Sequence, residues 1–138
     1  MKSKLFLGFL IIFLTITNKD LYSQNAVSTL DKLIGKEWFT IFPGEKKFSN
    51  FDIYTKEIRT TTFRFNNVDS KLFYQFYLSD KAETIFNNSD VGKIEEGKYI
   101  ITLSEKGKLG VFEIITLTST SLELKNLGNK SILNFSAK

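Results

Sequence analysis

The sequence predicts an all-β protein, an antiparallel up-and-down barrel of about eight strands with a short helix before it. Three observations carry that expectation. From Gly97 to Phe135, β-branched and aromatic runs are broken every ten or so residues by short polar turns, the pattern of consecutive hairpins. No segment between the strands has the length or spacing of a crossover helix, which excludes a parallel sheet. Closure into a barrel would also remove the two edges that an open sheet of this size exposes. A two-sheet sandwich is the alternative arrangement.

The first 23 residues stand apart from the fold. Lys2 and Lys4 precede Leu5–Ile16, a nearly uninterrupted apolar run that fits the core of an export signal. It is shorter than the roughly 20 residues a membrane-spanning helix needs. Leu21-Tyr22-Ser23-Gln24 has the form of a cleavage site, which would leave residues 24–138 as one domain with no stable membrane span. No Cys follows the apolar run, so acylation at a Cys is excluded.

Within that domain, Val27, Leu30, Leu33 and Ile34 fall on one helical face, so a short helix or 3₁₀ turn is expected over 26–34, with Asn25 as its cap and Gly35 as its end. Trp38–Phe42 reads as the first strand, closed by Pro43-Gly44. Two strands follow between Lys46 and Phe65. Phe51 and Ile53 share a face in the first and Phe63 and Phe65 in the second, where Thr60, Thr62 and Arg64 take the opposite face. Asn66-Asn67 and Asp69-Ser70 form a polar turn. Lys71–Leu78 is apolar on both sides, with Leu72, Tyr74, Phe76 and Leu78 opposite Phe73 and Tyr77. Ser79–Lys93 is a polar loop in which Ile85-Phe86 forms either a short strand or one helical turn. The closing series runs through Tyr99–Leu103, Leu109–Leu117, Leu122–Leu127 and Ser131–Phe135, with Tyr99, Ile101 and Leu103 on one side. Phe112-Glu113-Ile114-Ile115 breaks the alternation, which predicts a bulge.

Composition removes whole classes of function. The chain has no Cys and no His, so it has no disulfide, no thiolate nucleophile, no Ser-His-Asp triad and no His- or Cys-ligated metal. The formal charge of +4 owes much to Lys2, Lys4 and Lys19, and the domain itself is close to neutral. Its only arginines, Arg59 and Arg64, are too few for a nucleic-acid reader. Of the chain's fourteen Phe and five Tyr, the eleven Phe and four Tyr beyond the leader supply the burial that an exported domain without disulfides requires.

Leu33-Ile34-Gly35-Lys36-Glu37-Trp38, Gly97-Lys98-Tyr99-Ile100-Ile101 and the Phe112–Lys125 hairpin resemble the opening, mid-chain and C-terminal motifs of the lipocalin-like domains exported by Bacteroidota. The match covers most of residues 30–127. It departs at Gly35 and Trp38, which two residues separate instead of one, and in lacking a late Arg and a long C-terminal helix. The resemblance implies a barrel whose floor is closed by Trp38, and a periplasmic or secreted location.

Three functional readings follow. A binder of a small apolar ligand would line its barrel with Trp38, Phe51, Ile53, Phe63, Phe65, Tyr74, Phe76, Tyr99 and Ile101, and is expected to be a monomer. The same residues equally serve as plain core, and so many bulky inward Phe favour a filled interior. An envelope or secreted interaction module would instead engage a protein partner through Phe73 and Tyr77. An enzyme is the weakest reading. Glu95 and Glu96 are adjacent and face opposite ways, while Glu113, Glu123, and Asp52 with Tyr54 and Arg59, read as solvated strand faces. Asn87–Asp90 lacks the spacing of a calcium loop. No catalytic residue, metal or cofactor is expected.

Overall fold

One helix, one 3₁₀ turn and eight strands make up residues 26–44 and 48–138, which the computed structural model describes. The expected export signal, its expected cleavage site and the expected cap Asn25 lie outside the described residues. The helix α1 (Thr29–Leu33) begins later than the periodicity indicates, because Ser28 supplies the cap: its hydroxyl accepts from the Asp31 N–H at 3.1 Å. Glu96 reaches across from a distant loop and accepts from both the N–H and the hydroxyl of Thr29. Leu30 N–H donates to the Glu95 carbonyl at 3.0 Å. These contacts set α1 across one end of the barrel with Leu30 and Leu33 turned inward.

The strands are β1 (Glu37–Thr40), β2 (Phe48–Tyr54), β3 (Ile58–Phe65), β4 (Val68–Ser79), β5 (Tyr99–Ser104), β6 (Leu109–Leu117), β7 (Ser121–Asn126) and β8 (Ile132–Ala137). Each pairs antiparallel with its sequence neighbours, and β8 returns to β1 through Trp38 opposite Ala137 and Thr40 opposite Phe135. The barrel is therefore closed, and the sandwich is excluded. Asn66 and Asn67 both take positive φ (50° and 63°), so a two-residue turn joins β3 to β4. Asp69 and Ser70, expected in that turn, already belong to β4. The expected bulge in β6 is present where the register with β7 shifts between Ile114 and Thr116. Ile85 and Phe86 form neither strand nor helix; the short turn nearby is a 3₁₀ helix at Asn88–Asp90.

The register fixes what points inward. Directly opposed residues share a face, so Tyr54 opposite Arg59, Arg59 opposite Tyr74, Phe76 opposite Thr102 and Leu122 opposite Phe135 mark the interior. Along most strands these inward residues shrink and become polar away from α1. On β1 the order is Trp38 then Thr40; on β2 it is Tyr54, Asp52, Asn50. On β5 it is Ile100, Thr102, Ser104, and on β7 Leu122, Leu124, Asn126. The half nearest α1 is consequently packed solid with Leu30, Leu33, Trp38, Tyr54, Phe76, Leu78, Ile100, Leu122, Leu124 and Phe135. The Trp38 indole anchors this floor by donating from Nε1 to the Leu33 carbonyl at 2.9 Å. Gly97 sits where a Cβ would lie 2.7 Å from the Ser79 backbone nitrogen, which lets the long β4–β5 connection turn back tightly into β5.

Candidate functional site

The half of the barrel away from α1 is hollow. An open cavity of about 1050 Å³ is lined by inward residues of this half, by the β5–β6 and β7–β8 turns, by the segment after β1 and by Ala82–Thr84 of the β4–β5 loop. Its lining combines apolar Phe42, Phe63, Leu109, Phe112 and Leu127 with polar Thr40, Asn50, Thr61 and Thr102, and Asn50 stands directly opposite Phe63. Its volume lies at the upper end of the range for small-molecule sites.

At the base of the cavity lies an ion pair that strand alternation builds. Asp52 on β2 and Arg59 on β3 are 1% and 7% exposed, and both face inward. Arg59 donates from Nε and Nη2 to Asp52 Oδ2 at 3.1 and 2.8 Å. Thr61, directly opposite Asp52, donates its hydroxyl to Oδ1 at 2.6 Å. Three aromatic rings surround the guanidinium carbon: Phe112 at 4.9 Å, Tyr74 at 5.7 Å and Tyr54 at 5.9 Å from their centroids. Tyr54 and Tyr74 are in place because they are its cross-strand partners on either side. Burial works to lower the Arg59 pKa, but the Asp52 carboxylate together with Tyr54 and Tyr74 outweighs it and holds the guanidinium above its ordinary value. The Tyr54 phenol is pushed up by its own burial, an effect that Arg59 opposes. Its hydroxyl has no hydrogen-bond partner among the described residues.

The nine aromatic and aliphatic residues expected to line the barrel divide four ways. Phe63 and Tyr74 are on the cavity wall. Trp38 and Phe76 face inward but lie in the packed half. Phe65 is at the rim, half-exposed and stacked on Phe48 with ring centroids 4.8 Å apart. Phe51, Ile53, Tyr99 and Ile101 point outward, since their neighbours Asp52, Tyr54, Ile100 and Thr102 occupy the interior.

That inversion corrects the phase expected for β2 and β5. It arises because apolar residues also have cover outside the barrel. Phe51 packs against Phe39 at 5.0 Å and beneath the Arg64 guanidinium at 5.3 Å. Ile101 is buried on the outer side opposite Tyr77, which packs on Phe86 of the long loop and accepts from the Asn87 N–H at 3.2 Å. Tyr77 is thus covered by its own chain, while Phe73 remains exposed. Asp52, Tyr54 and Arg59 are correspondingly not on a solvated face, as sequence reasoning had them, but inside. A signal was available: Asp52 and Arg59 are seven residues apart across a hairpin, with Thr61 and Thr62 continuing the polar run.

Glu113 lies opposite Lys125 and Glu123 opposite Thr116, while Glu96 caps α1. Among the described residues no cluster of acidic side chains is arranged to hold a metal ion.

No family model, curated protein or solved structure matches the chain. The cavity's own chemistry is a lining of aromatic and aliphatic side chains interspersed with Ser104, Lys108, Asn126 and Asn129, above an internally neutralised ion pair.

Proposed function

We propose that this protein is an exported, non-enzymatic, lipocalin-like carrier that holds one small, largely apolar molecule in the open half of its barrel. The observation that carries the reading is the cavity, with Phe42, Phe63 and Leu127 in its lining and the Asp52–Arg59 pair at its base. Such an arrangement suits binding: apolar walls supply affinity, and a few fixed polar groups orient the ligand. The lack of His and Cys in the sequence supports a role without chemistry. Export rests on the leader, from Lys2 through Ser23, and kinship with the lipocalin-like domains rests on the motifs around Trp38, Gly97 and the Phe112–Lys125 hairpin.

Native mass spectrometry of the protein purified gently from its own envelope fraction tests the reading. The expected result is a reproducible added mass of an apolar molecule, lost on denaturation, on a chain that begins at Gln24. A bare chain that also binds no apolar probe would overturn it. The second reading, an interaction module, draws on exposed Phe73 and on the rim residues Phe42, Phe48 and Phe65. A protein partner that co-purifies and is lost in Phe73→Ser would favour it.

A further inference from the structure

The cavity ends on an ion pair and not on a lone charge, and this decides which head group it favours. Arg59 directs Nε and Nη2 at Asp52, but Nη1 makes no hydrogen bond to the described residues. The one buried side-chain polar atom left without a partner among them is the Tyr54 hydroxyl, so the Nη1 donors are open to the cavity. The formal charges of the lining cancel: Asp52 and Glu83 stand against Arg59 and Lys108.

A carboxylate brought to Nη1 would meet a guanidinium already neutralised, next to a second carboxylate bound to the same Arg. It would shed its hydration and leave net negative charge among Tyr54, Tyr74 and Phe112. An uncharged carbonyl needs only to accept from Nη1, and the donor of an amide could turn to the side-chain oxygen of Asn50 on β2 or of Thr102 on β5, both in the same lining.

We infer that the barrel selects apolar molecules ending in an uncharged carbonyl group, such as an amide or ester, over the same tail ending in a carboxylate. This rests on the carrier reading above and specifies its ligand class.

The test is calorimetric titration of the purified protein with decanamide and with decanoate at about pH 8, where the acid is ionised. The amide is expected to bind about tenfold tighter or more, a difference of roughly 1.4 kcal/mol. Equal or tighter binding of decanoate overturns the head-group inference and leaves the carrier reading standing; binding of neither overturns both. Asp52→Asn supplies the control for simple water-insolubility of the amide. It leaves the guanidinium uncompensated, so the preference should swing toward decanoate. A preference unchanged in a folded Asp52→Asn protein would overturn the inference. If that variant fails to fold, the wild-type comparison decides by itself.

Discussion

Replacing Arg59 by Met should destabilise the protein by about 3 kcal/mol, the lower end of the cost of breaking a buried pair by removing one partner. The geometry sets the figure. Among the described residues Asp52 accepts three hydrogen bonds, and Arg59 supplies two of them together with the only positive charge in contact with the carboxylate. Met roughly fills the space of the aliphatic stem but leaves the carboxylate with the Thr61 hydroxyl alone. Cavity water on the open side offsets part of the loss, which is why the lower end applies. For a domain of this size the change corresponds to a fall in Tm of roughly 10 °C. Urea denaturation followed by circular dichroism at neutral pH measures it.

The double variant Asp52→Asn with Arg59→Met completes the cycle. With both charges gone, no buried ion is left unpaired, and stability should return to within about 1 kcal/mol of the wild type. If Arg59→Met costs less than about 1 kcal/mol, or if the double variant is as unstable as the single one, the pair is not the buried, mutually dependent unit described above.

Two further predictions concern the packed half. The Tyr54 phenol is raised above its ordinary 10.0 by burial; above about pH 10 the unfolded chain therefore gives up this proton while the folded one keeps it. Its contribution to stability is complete below that pH and declines above it. Tyr54→Phe should flatten that alkaline decline in thermal melts and, because the lost hydroxyl had no partner, should cost little at neutral pH. Trp38→Phe removes the bond from Nε1 to the Leu33 carbonyl and leaves a void beside α1, so chemical denaturation should show a loss of about 2 kcal/mol or more.

The barrel was legible in the sequence because its strands are separated by turns whose chemistry is local. Asn66-Asn67 and Glu105–Lys108 mark hairpins through residues that accept positive φ, and the irregular run Phe112–Ile115 announces the bulge at the right place. The site was not legible, because deciding which face of a strand lies inside is a tertiary matter. On β2 the alternation of Phe51 and Ile53 with Asp52 and Tyr54 is equally good in either phase. The rule that apolar residues go inside selected the wrong one. Phe51 is buried by Phe39 and Arg64 on the outer wall, and Ile101 lies buried opposite Tyr77, which the β4–β5 loop covers. Neither cover could be foreseen from spacing. The expectation of a filled interior failed for the same reason, since Phe51 had been counted as filling a space that Asp52 occupies.

A barrel shaped only by stability would continue the large apolar series of its closed half to the mouth. This one instead places Thr40, Asn50, Thr61 and Thr102 at the next level up and gives up that burial. Returning some of it should therefore oppose stability to binding. Thr102 is buried, faces Phe76 on one side and Gly110 on the other, and makes only a long 3.5 Å hydrogen bond to the Gly110 carbonyl. Thr102→Leu adds apolar volume directly above the packed half, with the cavity there to receive it, and should raise stability by about 1 kcal/mol. The same side chain intrudes on the level of the Asp52–Arg59 pair, where the ligand head would sit. Affinity for decanamide should fall about tenfold or more while the fold becomes firmer, an exchange expected of positions held open for function. Unchanged affinity in a stabilised Thr102→Leu protein would place the ligand elsewhere than at the base of this cavity.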